Sequence, residues 1–71
     1  MQVVVEIYNG VVSDISADVA CEVLVIDRDE SADQRLADGH RGWITEWSVP
    51  PEPEAVHDRL VVAALLPINP T

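Results

Sequence analysis

Two apolar, β-branched runs meet at Asn9-Gly10 in the stretch VVVEIYNGVVSDIS, and no other feature of the chain restricts its folding as much. Asn-Gly readily adopts the positive φ angles of a tight hairpin turn, so residues 2–16 are expected to form a β-hairpin. Its register is the open choice. A two-residue turn pairs Tyr8 with Val11 and Val5 with Asp14, which mixes apolar and charged side chains on both faces. A three-residue loop, with Gly10 as a left-handed bulge, pairs Ile7 with Val11, Val5 with Ser13 and Val3 with Ile15. This second register gathers Val3, Val5, Ile7, Val11 and Ile15 on one face and leaves Glu6 and Asp14 on the other. One buried face specifies a register strongly, so the second is the expected one.

The remainder of the 71 residues is read around that hairpin as a single domain, 1–71. A chain of this size buries only about 60% of its unfolded surface, so its core is marginal. Twelve Val and five Ile against five Leu favour strands, because β-branched side chains sit well on a pleated surface. CEVLVID reads as a strand over 21–27, with Cys21, Val23 and Val25 on one face and Glu22, Leu24 and Ile26 on the other. Being apolar on most of both faces, it is expected to be central. GWITEWS reads as a strand over 42–48 that places Trp43, Thr45 and Trp47 on one face. Between them, residues 29–38 form an acidic loop or short helix that stops at Gly39.

Pro50, Pro51 and Pro53 impose an extended connection. A helix is expected over 53–66, with Pro at its first turn, Glu54 at its positive end and Pro67 beyond it. The run LVVAALL within it would suit a strand equally by periodicity alone. The expected fold class is α+β: a small antiparallel sheet of three to four strands, one C-terminal helix, and a loose tail at 67–71.

Charge narrows the function. Thirteen Asp and Glu face four Arg and no Lys, for a formal charge of −9. The densest stretch is DRDESADQRLAD, residues 27–38. Such a chain repels nucleic acid and anionic membranes and attracts basic protein surfaces, which excludes direct DNA or RNA binding. Cys21 is the only cysteine, which excludes an internal disulfide and points to an intracellular, cytoplasmic setting. LVVAALL is far short of the roughly 18 apolar residues of a bilayer span, and the N-terminus lacks a basic segment followed by an apolar one.

Metal and catalytic chemistry are disfavoured residue by residue. Read as a calcium loop from Asp27, the acidic stretch has Ala32 where the sharp turn needs Gly, Arg35 at a ligand position and Asp38 where a bidentate Glu belongs. Cys21, His40 and His57 have no zinc spacing. His57 and Asp58 are neighbours that diverge by about 100° on a helix, so they do not form an oriented base. No Ser sits in a nucleophile turn, and no Gly-rich phosphate loop is present. The expectation is a protein that is not an enzyme and takes no cofactor or metal. Trp43 and Trp47, in a chain without Phe, are read as core volume, as interface anchors, or as one of each.

A magnitude sharpens the charge reading. A domain of this length spans roughly 30 Å, and duplex DNA of that length carries roughly 17 phosphates, a number comparable to the thirteen carboxylates. The stretch VVVEIYNGVVSDISADVACEVLVIDRD also resembles a type of small acidic protein carried by phages and mobile elements. The resemblance runs through Tyr8, Gly10, Val11, Val12, Asp18, Glu22, Val23, Val25, Asp27 and Asp29. It implies a mobile-element setting in the host cytoplasm, where such proteins include anti-CRISPR inhibitors that imitate DNA.

The functional expectation is therefore an acidic inhibitor that occupies the basic, nucleic-acid-binding surface of a host protein such as a CRISPR surveillance-complex subunit. Asp27, Asp29, Glu30, Asp33 and Asp38 would meet its Arg and Lys, and Trp43 and Trp47 would anchor the contact. The alternative is a structural or regulatory homodimer that associates through its apolar C-terminal segment.

Overall fold

The structure is a computed structural model and describes residues 1–64. It is an α+β fold of four antiparallel strands and one helix, in the order β1 (Val3–Tyr8), β2 (Val11–Ala17), β3 (Cys21–Arg28), β4 (Gly42–Val49) and α1 (Pro53–Val62). The expected single sheet of three to four strands is corrected: the strands form two separate hairpins, β1-β2 and β3-β4. The base of β2 explains why β3 does not join it. Ala17 bridges Pro51 in parallel, and the Glu52 amide donates to the Ala17 carbonyl at 2.7 Å, so the approach to the helix takes the edge that β3 would need.

The register of the first hairpin is also corrected. Asn9 and Gly10 have φ of 51° and 78°, the signature of a two-residue type I′ turn whose twist matches the flanking strands, and Tyr8 pairs with Val11. The irregularity lies further along. Ile7 pairs with Val12 and Glu6 with Asp14, which leaves Ser13 as a bulge whose hydroxyl donates to the Glu6 carbonyl at 3.2 Å. The bulge shifts the alternation by one residue and puts Val12, Ile15 and Ala17 on the same face as Val3, Val5 and Ile7. Placing the extra residue in the turn would have relieved the same conflict, but it would have left Val12 opposed to Ile15.

That face meets the second hairpin along β2 and β4, where Ile15, Ala17 and Val49 form the buried centre and Val12, Cys21, Val23, Val25 and Trp47 pack around it. β1 overhangs the contact, so Val3, Val5 and Ile7 are exposed, and Val11, paired with Tyr8, lies on the opposite face and is exposed there, against the expectation of one wholly buried face. On the other face α1 covers β1 and β2. Val56 is buried there, Ser16 is buried with its Oγ unpartnered among the described residues, and Arg59 forms an ion pair with Glu6.

β3 is not central. Its Cys21, Val23 and Val25 face is half-buried, but Leu24 and Ile26 on the other side are exposed together with Ile44 of β4, because no third layer covers them. Trp43, Thr45 and Trp47 share a face, as expected, and it is the face turned toward the first hairpin. The helix begins with Pro53 in its first turn and ends at Val62, where Ala64 takes φ 58°. Residues 60–62 are thus helical and not a strand, and the end of the helix precedes the expected 66. The rest of that expectation and the loose tail at 67–71 lie outside the described residues.

Candidate partner-binding surface

The thirteen residues that join Arg28 to Gly42 hold most of the carboxylates singled out above, and they form a built loop. Its backbone is tied across at Asp29 N–H to Arg41 O (3.1 Å), Leu36 N–H to His40 O (2.8 Å) and Gly42 N–H to Gln34 O (3.1 Å). Arg41 donates to the Ala32 carbonyl at 3.1 Å, and the Ala32 side chain is buried beneath the loop. Ala32 therefore serves as packing at the position where a calcium loop would carry Gly.

The loop divides its carboxylates into two kinds. Asp29 accepts from the Ser31 hydroxyl at 2.6 Å and from the Ser31 amide at 2.9 Å, both on Oδ1, and these bonds hold its pKa below the ordinary value of 3.8. Asp38 accepts from the His40 amide at 3.0 Å and from Arg28 at 2.6 Å, and it is lowered for the same kind of reason. Those two carboxylates shape the loop. Asp33 and Glu30 project freely, Glu30 with only His40 within 4.0 Å.

Asp27 belongs to a different place. It is the cross-strand partner of Trp43, and the two line a cleft of about 610 Å³ between the β3-β4 hairpin and the turn of the first hairpin, together with Asp29 and Trp47. Trp47 is half-buried against the core cluster, whereas Trp43 is 42% exposed. Of the seven residues expected to contact a partner, the cleft unites Asp27, Asp29, Trp43 and Trp47. Glu30, Asp33 and Asp38 stand apart on the loop.

The remaining acidity is not gathered with them. Glu52, Glu54 and Asp58 form a second group at the start of α1. Glu54 and Asp58 are four residues apart on one helix face, a spacing in the sequence that could have revealed them. β3 alone separates the base of the hairpin from the loop by seven residue steps, roughly 23 Å, well beyond the Debye length of about 8 Å. The two groups are electrostatically independent. Arg59, held by Glu6 with Asp14 and Asp58 nearby, has its pKa raised further above the arginine range by the Glu6 bond first and by these charges second.

All four guanidinium groups are engaged within the chain: Arg28 with Asp38, Arg59 with Glu6, Arg35 with the Gly39 carbonyl at 2.6 Å, and Arg41 with the Ala32 carbonyl. Among the described residues, only Glu6 and Asp38 have an arginine at ion-pair distance. No three His, Cys, Asp or Glu of the described residues come together as a metal-holding group, and no described helix is long and apolar enough to cross a membrane. Comparison with protein-family models, curated proteins and solved structures finds no match to this chain.

Proposed function

We propose that this protein is a non-enzymatic acidic inhibitor that covers a basic, nucleic-acid-binding surface on another protein. The supporting observation is the asymmetry of its charges. Each arginine bonds to a group of its own chain, Arg28 and Arg59 to carboxylates and Arg35 and Arg41 to carbonyls, while among the described residues all but two of the thirteen carboxylates lack an arginine partner. A surface with thirteen carboxylates against four arginines presents a large excess of negative charge and draws Arg- and Lys-rich patches toward it. The resemblance of residues 3–29 to small acidic mobile-element proteins makes a CRISPR surveillance complex in the host cytoplasm the first target to examine.

The test is competition with duplex DNA for a purified surveillance complex. The protein is expected to displace labelled DNA at low salt, less so as salt rises, and the pair Glu30→Gln with Asp33→Asn is expected to weaken displacement without changing the melting temperature. DNA binding that is undiminished by excess protein at low salt would remove this target. Displacement that ignores both salt and the double variant would remove the electrostatic reading.

One observation favours the second reading, a homodimer. The uncovered face of β3-β4 carries exposed Leu24, Ile26 and Ile44, and in the C-terminal segment Val62 is exposed while Leu60 and Val61 are half-buried. Light scattering separates the readings: a dimer strengthened by salt indicates apolar self-association against a charge of −9 on each copy.

A further inference from the structure

The cleft between the hairpins combines three features that a solubility surface does not need. Asp27 and Trp43 are direct cross-strand partners, which places a carboxylate beside an indole with Cβ atoms about 5 Å apart. Asp27 is half-buried and has no cation at ion-pair distance among the described residues, the arginines being bonded elsewhere. Asp29 adds a second carboxylate, whose Oδ2 is left free by the bonds that Ser31 makes to Oδ1. Further in, Trp47 Nε1–H is closed off from solvent and has no acceptor among the described residues.

These features select one kind of ligand. An anion would meet two carboxylates, and a purely apolar group would strip water from Asp27 without replacing it. A guanidinium is planar and stacks on an indole face while its N–H fork meets a carboxylate in the same plane, which a compact ammonium does less well. Trp43 and Trp47 lie four strand residues apart, roughly 13 Å, a length that an extended peptide of about four residues spans. With its arginine at Trp43 and Asp27, such a segment runs along β4 and reaches the Trp47 side chain at the other end of the cleft. The volume of about 610 Å³ has room for more than one side chain.

We infer that the cleft is a docking site for an arginine side chain presented by an extended segment of a partner protein. This rests on the reading of the protein as a ligand of basic surfaces and adds the residue type that it grips.

The probe is a blocked tetrapeptide with a single central arginine, titrated into the protein while the indole N–H signals of Trp43 and Trp47 are followed by NMR; a lysine analogue and free L-arginine are run in parallel. The arginine peptide is expected to shift both signals and the other two to bind several-fold more weakly. Asp27→Asn, nearly isosteric, should weaken binding about tenfold, and Trp43→Phe should weaken it less because a phenyl face stacks more poorly. The Glu30→Gln, Asp33→Asn variant lies outside the cleft and should bind the peptide as the parent does.

Equal affinity for the lysine peptide, or arginine binding indifferent to Asp27→Asn, overturns the guanidinium assignment. Free arginine binding as tightly as the peptide overturns the assignment to a partner protein. A silent titration in a protein that still displaces DNA through Glu30 and Asp33 overturns the cleft alone. A responsive cleft in a protein that displaces nothing overturns the proposed inhibition alone.

Discussion

The two hairpins are built from similar strands and end up in different situations. β1-β2 is closed by two residues, adjusted by a bulge at Ser13 and covered on one face by α1. β3-β4 pairs without interruption from Cys21↔Val49 to Arg28↔Gly42, is closed by a structured acidic loop, and leaves Leu24, Ile26 and Ile44 uncovered. The hairpin with the irregular pairing supplies Ile15 and Ala17 of the buried centre, and the regular one supplies Val49 together with the charged loop and most of the cleft. Regular pairing satisfies backbone hydrogen bonds, but it does not bury side chains. Burial here comes from the second layer, and only β1-β2 has a layer on each side.

The largest effect should come from removing the contact between the hairpins. Ile15 is 5% exposed and Leu24 is 57% exposed, so Ile15→Ala should cost about 2–4 kcal/mol and Leu24→Ala no more than about 0.5 kcal/mol in urea denaturation. A Leu24→Ala cost as large as that of Ile15→Ala would mean that the open face of β3-β4 is covered in solution, and the contrast between the hairpins would fail.

A smaller effect separates the two glycine sites. At Gly42 an added Cβ would collide with the Asp27 carbonyl oxygen of the paired strand, so Gly42→Ala should cost about 1–3 kcal/mol. At Gly10 there is open space and the penalty is that of a positive φ alone, about 1–2 kcal/mol. Hydrogen exchange localises the damage: Gly42→Ala should expose the loop end of β3-β4 first, and Gly10→Ala the tip of β1-β2. Global loss of protection by Gly10→Ala would show that the first hairpin is the less secure one.

Acidification should give the smallest effect, confined to the loop. Hydrogen bonds depress the folded-state pKa of Asp29 and Asp38 below 3.8, so their contribution is present above the unfolded value and is lost as pH falls through the folded one. The Ser31 and His40 amide resonances, whose N–H groups donate to these carboxylates, should titrate with midpoints below 3.8. Midpoints at or above that value would show that the loop is not held by its own aspartates.

Local chemistry made much of this legible beforehand. Asn9-Gly10 located the turn, alternation placed Trp43, Thr45 and Trp47 on one face, and Pro53 marked the start of the helix. What escaped the sequence depends on distant partners. The extra residue that reconciles Val5 with Ile15 satisfies the alternation equally at Gly10 or Ser13, and packing of Val12 against the cluster of Ile15, Ala17 and Val49 decides between them. Leu24 and Ile26 suggested a central strand because apolarity reports suitability for burial and not whether another layer arrives. In the candidate site, Asp27 and Trp43 were named separately, and only the register makes them neighbours. Residue type alone also could not distinguish Asp29 and Asp38, which shape the loop, from Glu30 and Asp33, which are free.

With only two strands per sheet, every strand has an unpaired edge, and apart from the Ala17–Pro51 bridge the described residues do not cap those edges. Open edges beside uncovered valines and isoleucines are a template for chain-to-chain stacking, which other proteins often discourage with lysine. This chain has none, and its carboxylates discourage stacking instead. That protection is tied to ionisation and vanishes near the isoelectric point of about 4.2. Held concentrated near that pH, the folded protein should therefore stack into sheet-rich assemblies, whereas a dilute sample shows the loop titration alone; the charge that attracts a basic partner also keeps copies of the protein apart.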